Sequence, residues 1–171
     1  MELKEVADII HRIAEGFEDD CLKCLEQNKE VVLQAVREQL YSGQDGDGNR
    51  LSPTYDSDPF FEEPGWWYHR ASSYKAWKRE ITPPVKGTML GLPARDDNVP
   101  NLFVDGTFYS EINATKSASG LMIDPGSGNG PDIVAKYGDR ILAMGPDARE
   151  YFNLFYMLPS IDSFFKRCGY K

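Results

Sequence analysis

The chain reads as an α+β fold: an N-terminal helical hairpin, a small antiparallel sheet, and a C-terminal helix packed on it. Three observations predict this. Apolar residues recur at three- and four-residue steps over positions 3–40. A period-two pattern with a central turn replaces them over 103–124. A helical period returns after Pro146. At 171 residues one domain is expected. Its parts are the helical hairpin at 1–40, a loop-rich insertion with a short helix at 41–100, and a hairpin, strand and C-terminal helix at 101–171.

Leu3, Val6, Ala7, Ile10, Ile13, Ala14 and Phe17 define one face of the first helix. Gly16 and the acids Glu18, Asp19 and Asp20 predict its end and the cap of the next. Cys21, Leu25, Val32, Val36 and Leu40 line the second helix, expected to pack antiparallel on the first. The run SGQDGDGN predicts a turn between short extended pieces. Residues 68–80 predict a third helix with Tyr74, Trp77 and Ile81 on one side. Residues 82–100 carry four prolines and two glycines and read as an unstructured loop arm.

Phe108, Ile112 and Ala114, then Leu121 and Ile123, alternate with polar residues, so a hairpin is expected with its turn at 116–120. A short helix over 132–137 ends at Gly138, a common C-terminal stop. Residues 141–144 predict a short apolar strand. Pro146 suits the first turn of a helix whose buried stripe is Tyr151, Phe155 and Leu158. Pro159 must kink or split that helix.

Composition narrows the function classes. Apolar residues make up 41% and charged residues 27%, enough for one buried core. With 19 basic and 27 acidic residues the net charge is −8, which argues against a broad basic footprint for nucleic acid. No apolar run is long enough for a transmembrane helix. The acidic N-terminus lacks a signal-peptide layout, and three cysteines point to free thiols in a reducing compartment.

Candidate chemistry is sparse. Asp45, Asp47 and Asn49 place oxygen ligands at alternate positions, as at the opening of a calcium loop. The sixth position is Arg50 where glycine is required, and the twelfth is Asp56 where a bidentate glutamate is required. A solvated turn explains the same residues. Cys21 and Cys24 have a zinc or redox spacing, but they fall within a helix, and a site would need His11 or Cys168 to complete it. The GSGNG run at 126–130 lacks the lysine of a phosphate loop and reads as a surface loop long enough to reach a neighbouring subunit. Neither His11 nor His69 lies near a nucleophile signature. The acids Asp56, Asp58, Glu62 and Glu63 near His69 match no metal spacing. No catalytic residue and no cofactor is expected. Phe60, Phe61, Trp66, Trp67, Tyr68 and Trp77 concentrate large rings, which fit core packing or a protein interface equally. The first five are the interface candidates.

The segment Leu102-Phe103-Val104-Asp105-Gly106-Thr107-Phe108-Tyr109-Ser110-Glu111-Ile112 resembles a segment of tailed-phage tail-completion and virion-morphogenesis proteins. In that pattern a hairpin follows, matching 113–124, then a helix ending in Tyr-Gly, here Lys136-Tyr137-Gly138, then an apolar strand and a final helix. The segment from Gln39 to Asp45 with Gly48, Asn49, Arg50, Leu51 and Tyr55 is similar to an element in crAss-like phage relatives. The Pro-Ala-Arg-Pro-Phe that many tail-completion relatives carry after Tyr-Gly is absent. The resemblance implies a non-enzymatic virion component: a homo-oligomeric ring at the portal, neck or tail junction, bound to portal or neck subunits, with DNA passing an acidic lumen. Residues 82–100 then read as inter-subunit clasps. Two alternatives stand: a small metal-dependent hydrolase using the acids between Asp45 and Asp58, and an acidic inhibitor or DNA mimic.

Overall fold

Asn28 divides the N-terminal helices. The computed structural model describes residues 2–170. Helix α1 (Leu3–Gln27) ends where the Asn28 backbone amide and side chain both return to the Cys24 carbonyl. Helix α2 (Lys29–Tyr41) starts at once, its first amides accepted by the Asn28 carbonyl. The break predicted at Gly16 and the following acids is therefore corrected to Asn28. Gly16 stays helical in spite of the usual cost of about 1 kcal/mol, because a Phe164 ring lies over it. A Cβ there would sit 3.1 Å from that ring.

The fold class is the expected α+β. Helix α1 runs antiparallel to the last helix, α7 (Leu158–Cys168). Phe17 packs on Phe164 and Phe165, Arg12 donates to the Cys168 carbonyl, and the Cys24 thiol meets the Tyr156 carbonyl. Helix α2 instead faces the main core, where Leu33, Val36 and Leu40 meet Leu51, Val99, Phe108, Tyr109, Ile112, Ala114 and Ile141. That cluster draws on all three expected parts of the chain.

Helix α3 (Ala71–Ile81) stands close to its expected place. The expected hairpin is present but starts later. Strands β1 (Asn113–Ser117) and β2 (Gly120–Asp124) pair antiparallel, with Ala114 opposite Ile123 and Ser117 opposite Gly120. Phe108 belongs to a short helix, α4 (Thr107–Glu111), not to a strand. Gly106 at φ +87° and the Asp105 carboxylate, which accepts the Thr107 amide, close that turn locally. Helix α5 (Gly130–Tyr137) ends at Gly138 as expected.

The strand expected at 141–144 is corrected to a 3-10 turn (Asp139–Leu142) followed by extended Ala143. Among the described residues no strand edge pairs with it; a side chain does. Gln39, buried in α2, donates to the Ala143 carbonyl at 3.0 Å and accepts the Gly145 amide at 2.6 Å. The Arg140 carbonyl takes the Gly46 amide at 2.8 Å.

The C-terminal stripe is also corrected. Phe155 and Leu158 are 63% and 53% exposed, while Ala148 and Phe152 on α6 (Pro146–Phe152) are buried. The inward positions 148, 152, 156, 160, 164 and 168 recur every four residues, wider than the α-helical 3.6. A π-helical turn (Asn153–Met157) absorbs the difference, just before Pro159 withholds its amide. Residues 82–100 carry no regular element, yet they do not form a free arm. The Glu38 carboxylate accepts the Met89 and Leu90 amides at 3.0 Å and the Thr88 hydroxyl at 2.9 Å. Buried Arg95 donates to the Thr82 and Val99 carbonyls, so the segment is strapped to its own α2 and α3.

Candidate functional site

The Asp45 turn is a closed structural unit. The Asp45 carboxylate accepts the Asp47 and Asn49 amides, and Gln44 bridges to Arg50. Asp47 turns away to Arg140, whose Nε donates at 3.0 Å and whose hydrogen bonding holds the Asp47 carboxyl below its ordinary range. Asp45 and Asp47 are thus committed to a backbone turn and an ion pair.

The neighbouring acids diverge in the same way. Asp56 pairs with Lys75, Asp58 with Lys136 and Glu62 with His69. His11 meets Glu15 on the exposed side of α1. Cys21 and Cys24 lie far from Cys168, which sits at the other end of the α1/α7 pair, and all three are free thiols. Burial pushes the Cys21 thiol up, the reverse of an activated cysteine. Among the described residues no three His, Cys, Asp or Glu side chains converge on a metal position. The loop at 126–129 folds back on its own chain, with the Gly128 amide on the Glu111 carboxylate.

The aromatic cluster divides. Phe61 is buried, and Trp67 stacks edge-on against Tyr74 and tilts over Trp77. Trp66 is 76% exposed, with Arg70 over its ring, and Phe60 and Tyr68 are half exposed. Phe61 goes into the core and Trp67 is half-buried against Tyr74 and Trp77; Phe60, Trp66 and Tyr68 stay at the surface.

Sequence reasoning missed two features. The first is the outer flank of the α1/α7 pair. Leu3, Val6, Ile10 and Phe17 stand exposed along the first two thirds of α1, and Leu154, Phe155 and Leu158 stand exposed at the other end of the pair, beside Cys24. Leu3, Val6, Ile10, Ile13 and Phe17 alternate three- and four-residue steps, which is the spacing of a coiled-coil seam. That alternation was visible in the sequence as a helical face; which side the fold covers was not.

The second is Lys78 on α3, only 2% exposed. It faces a ring-lined pocket and donates to the Phe103 carbonyl. A lysine between Trp77 and Arg79 carries no signal of burial. Desolvation, with help from nearby Arg95, lowers its pKa to about 8. The folded chain therefore holds fewer protons than the unfolded chain between about pH 8 and the ordinary lysine value. Lys78 thus contributes a rise in stability with pH across that window, opposed from about pH 9 by the raised Cys21 thiol. Above it the sign reverses, because burial raises Tyr55 and Tyr137 and only the unfolded chain ionises them early. Urea denaturation from pH 7 to 10 checks this. Lys78→Met should remove the rise, and a wild-type curve flat to pH 9.5 counts against it.

No helix of the described residues is long and apolar enough to cross a membrane. Comparison of the chain with protein-family models, with curated proteins and with solved structures finds no match.

Proposed function

We propose that this chain is a non-enzymatic structural protein of a tailed-phage particle, forming or joining a ring at the portal, neck or tail junction. It acts in the virion, bound to further copies of itself and to portal, neck or tail subunits. The observation that carries the reading is the uncovered apolar seam of α1, with a second exposed apolar group, Leu154, Phe155 and Leu158, at the other end of the α1/α7 pair. Burying each Leu, Val, Ile or Phe of that flank is worth about 1.5–3 kcal/mol. An exposed seam of this length is what an assembly contact uses. Head-to-tail contacts that close by rotation would cover it once per subunit and build a ring.

Two further observations support it. The hairpin, the helix stopped at Gly138 and the final helix stand in the order of the tail-completion pattern, whereas the apolar strand which that pattern places before the final helix is a 3-10 turn here. Helix α1 also carries exposed Glu5, Asp8, Glu15, Glu18 and Asp19, largely on the side away from its seam, so an assembled surface that leaves this side open repels phosphate. Exposed Trp66, Phe60 and Tyr68 form a second contact face for a different virion protein.

Native mass spectrometry tests the reading. The wild type is expected as a closed oligomer, alone or on purified portal or neck complexes. Ile10→Glu with Phe155→Glu is expected to give a monomer with an unchanged circular dichroism spectrum. A wild type that stays monomeric and joins no such complex would overturn the proposal.

A further inference from the structure

We infer that the ring-lined pocket between α3, α5 and residues 100–104 binds a monocarboxylate carried on an apolar body. The pocket holds about 250 Å³. Tyr55, Phe61, Tyr74, Phe103, Ile133 and Tyr137 line it with rings and apolar surface. Such a wall suits a ring or a branched alkyl group.

The charge balance sets the other half of the ligand. Lys78 lines the pocket and is almost fully buried, and its hydrogen-bond partner is the Phe103 carbonyl. An ammonium has three donors, so two remain. Arg95, also buried, is the neighbouring cation. It gives its donors to backbone carbonyls, and its Nε has no partner. The Asn101 amide nitrogen, next to pocket-lining Pro100 and Leu102, is unpartnered as well. The acid at this pocket, Asp58, is already balanced: it accepts Lys136 at 2.6 Å and the Phe60 amide at 3.0 Å. Two buried cations therefore share one region without a compensating anion among the described residues. Such a pair is costly until an anion joins it. One carboxylate on Lys78 meets that need, and its apolar body fills the ring-lined volume. A second negative charge would face Asp58.

The carboxylate has two possible sources, a free small acid or the C-terminal residue of a partner chain. Calorimetric titration separates them with 3-phenylpropanoate against 3-phenylpropanamide, and with the peptide acetyl-Gly-Gly-Phe against its C-terminal amide. At least one acid is expected to bind about tenfold or more tighter than its amide, the increment of a charge-assisted hydrogen bond. The tighter acid identifies the source. Lys78→Met is expected to erase the preference. Failure of both acids to bind, or equal affinity for acid and amide, overturns the inference. If Lys78→Met does not fold, the acid–amide comparison on the native chain decides alone. The pocket lies apart from the α1/α7 flank, so this result and the assembly result are independent.

Discussion

Gln39→Leu is expected to cost about 2–5 kcal/mol of folding stability, although leucine nearly matches glutamine in size. The cost lies in what the amide holds. Gln39 is 2% exposed, and its two polar atoms satisfy the Ala143 carbonyl and the Gly145 amide. Leucine leaves both backbone groups buried without partners, and each such orphan costs about 1–3 kcal/mol. Gly145 also has no slack. A Cβ at that position would meet the Gln39 Oε1 at 2.6 Å, so the backbone is pressed against the amide. Urea denaturation measures the loss, and hydrogen exchange localises it. The Gly145 amide should exchange with far lower protection, and residues near α3 should change only with global stability. A loss under about 1 kcal/mol would mean that water replaces the amide, and would count against the clamp.

Ile141→Ala is the second large effect. Ile141 has no exposed surface and sits in the main core with Leu40, Leu51 and Ile112. Truncation removes three carbons and leaves a cavity. The neighbouring backbone is anchored by the Gly46 amide on the Arg140 carbonyl, so the site collapses poorly. The expected loss is about 2–5 kcal/mol. For a chain of this size that lowers the melting temperature by roughly 5–15 °C in differential scanning calorimetry. An exposed control away from that flank, such as Met122→Ala on β2, should move it by little. Equal shifts for the two variants would contradict the assignment of the core.

These residues also show why parts of the fold were legible in the sequence. Gly138 and Pro146 announced a helix end and a helix start through their own backbone chemistry. The Asp45 turn was recognisable because an aspartate followed by glycine bends the chain locally, and its carboxylate takes the amides two and four residues on. The segment at 141–144 was misread as a strand for a related reason. Four apolar residues fit a strand or a tight turn equally, and the decision came from Gln39, a hundred positions away in sequence. The C-terminal stripe was misread because a constant 3.6 period was extended through a π-helical turn. The prolines of 82–100 do keep the segment out of helix and strand. Glu38 and Arg95 nevertheless fasten it.

Of the candidate sites, the sequence named the rings and could not sort them. Phe61 and Trp67 went inward and Trp66 outward according to where α3 lies. It gave no hint of Lys78, since burial of a charge is set by the elements closing over it.

By itself the sequence determined the α+β class, the helix end at Gly138, the helix start at Pro146, the two-stranded hairpin and the acidic balance. Each follows from side-chain periodicity, backbone freedom or charge acting over a few residues. Only the tertiary structure decided that α1 pairs with α7 instead of α2, that a glutamine takes the place of a strand partner, and that Lys78 lies beneath rings. It also decided that one apolar flank stays uncovered. Those outcomes depend on which distant segments exclude water from one another, and burial of that kind is a property of the packed chain, not of any short stretch of it.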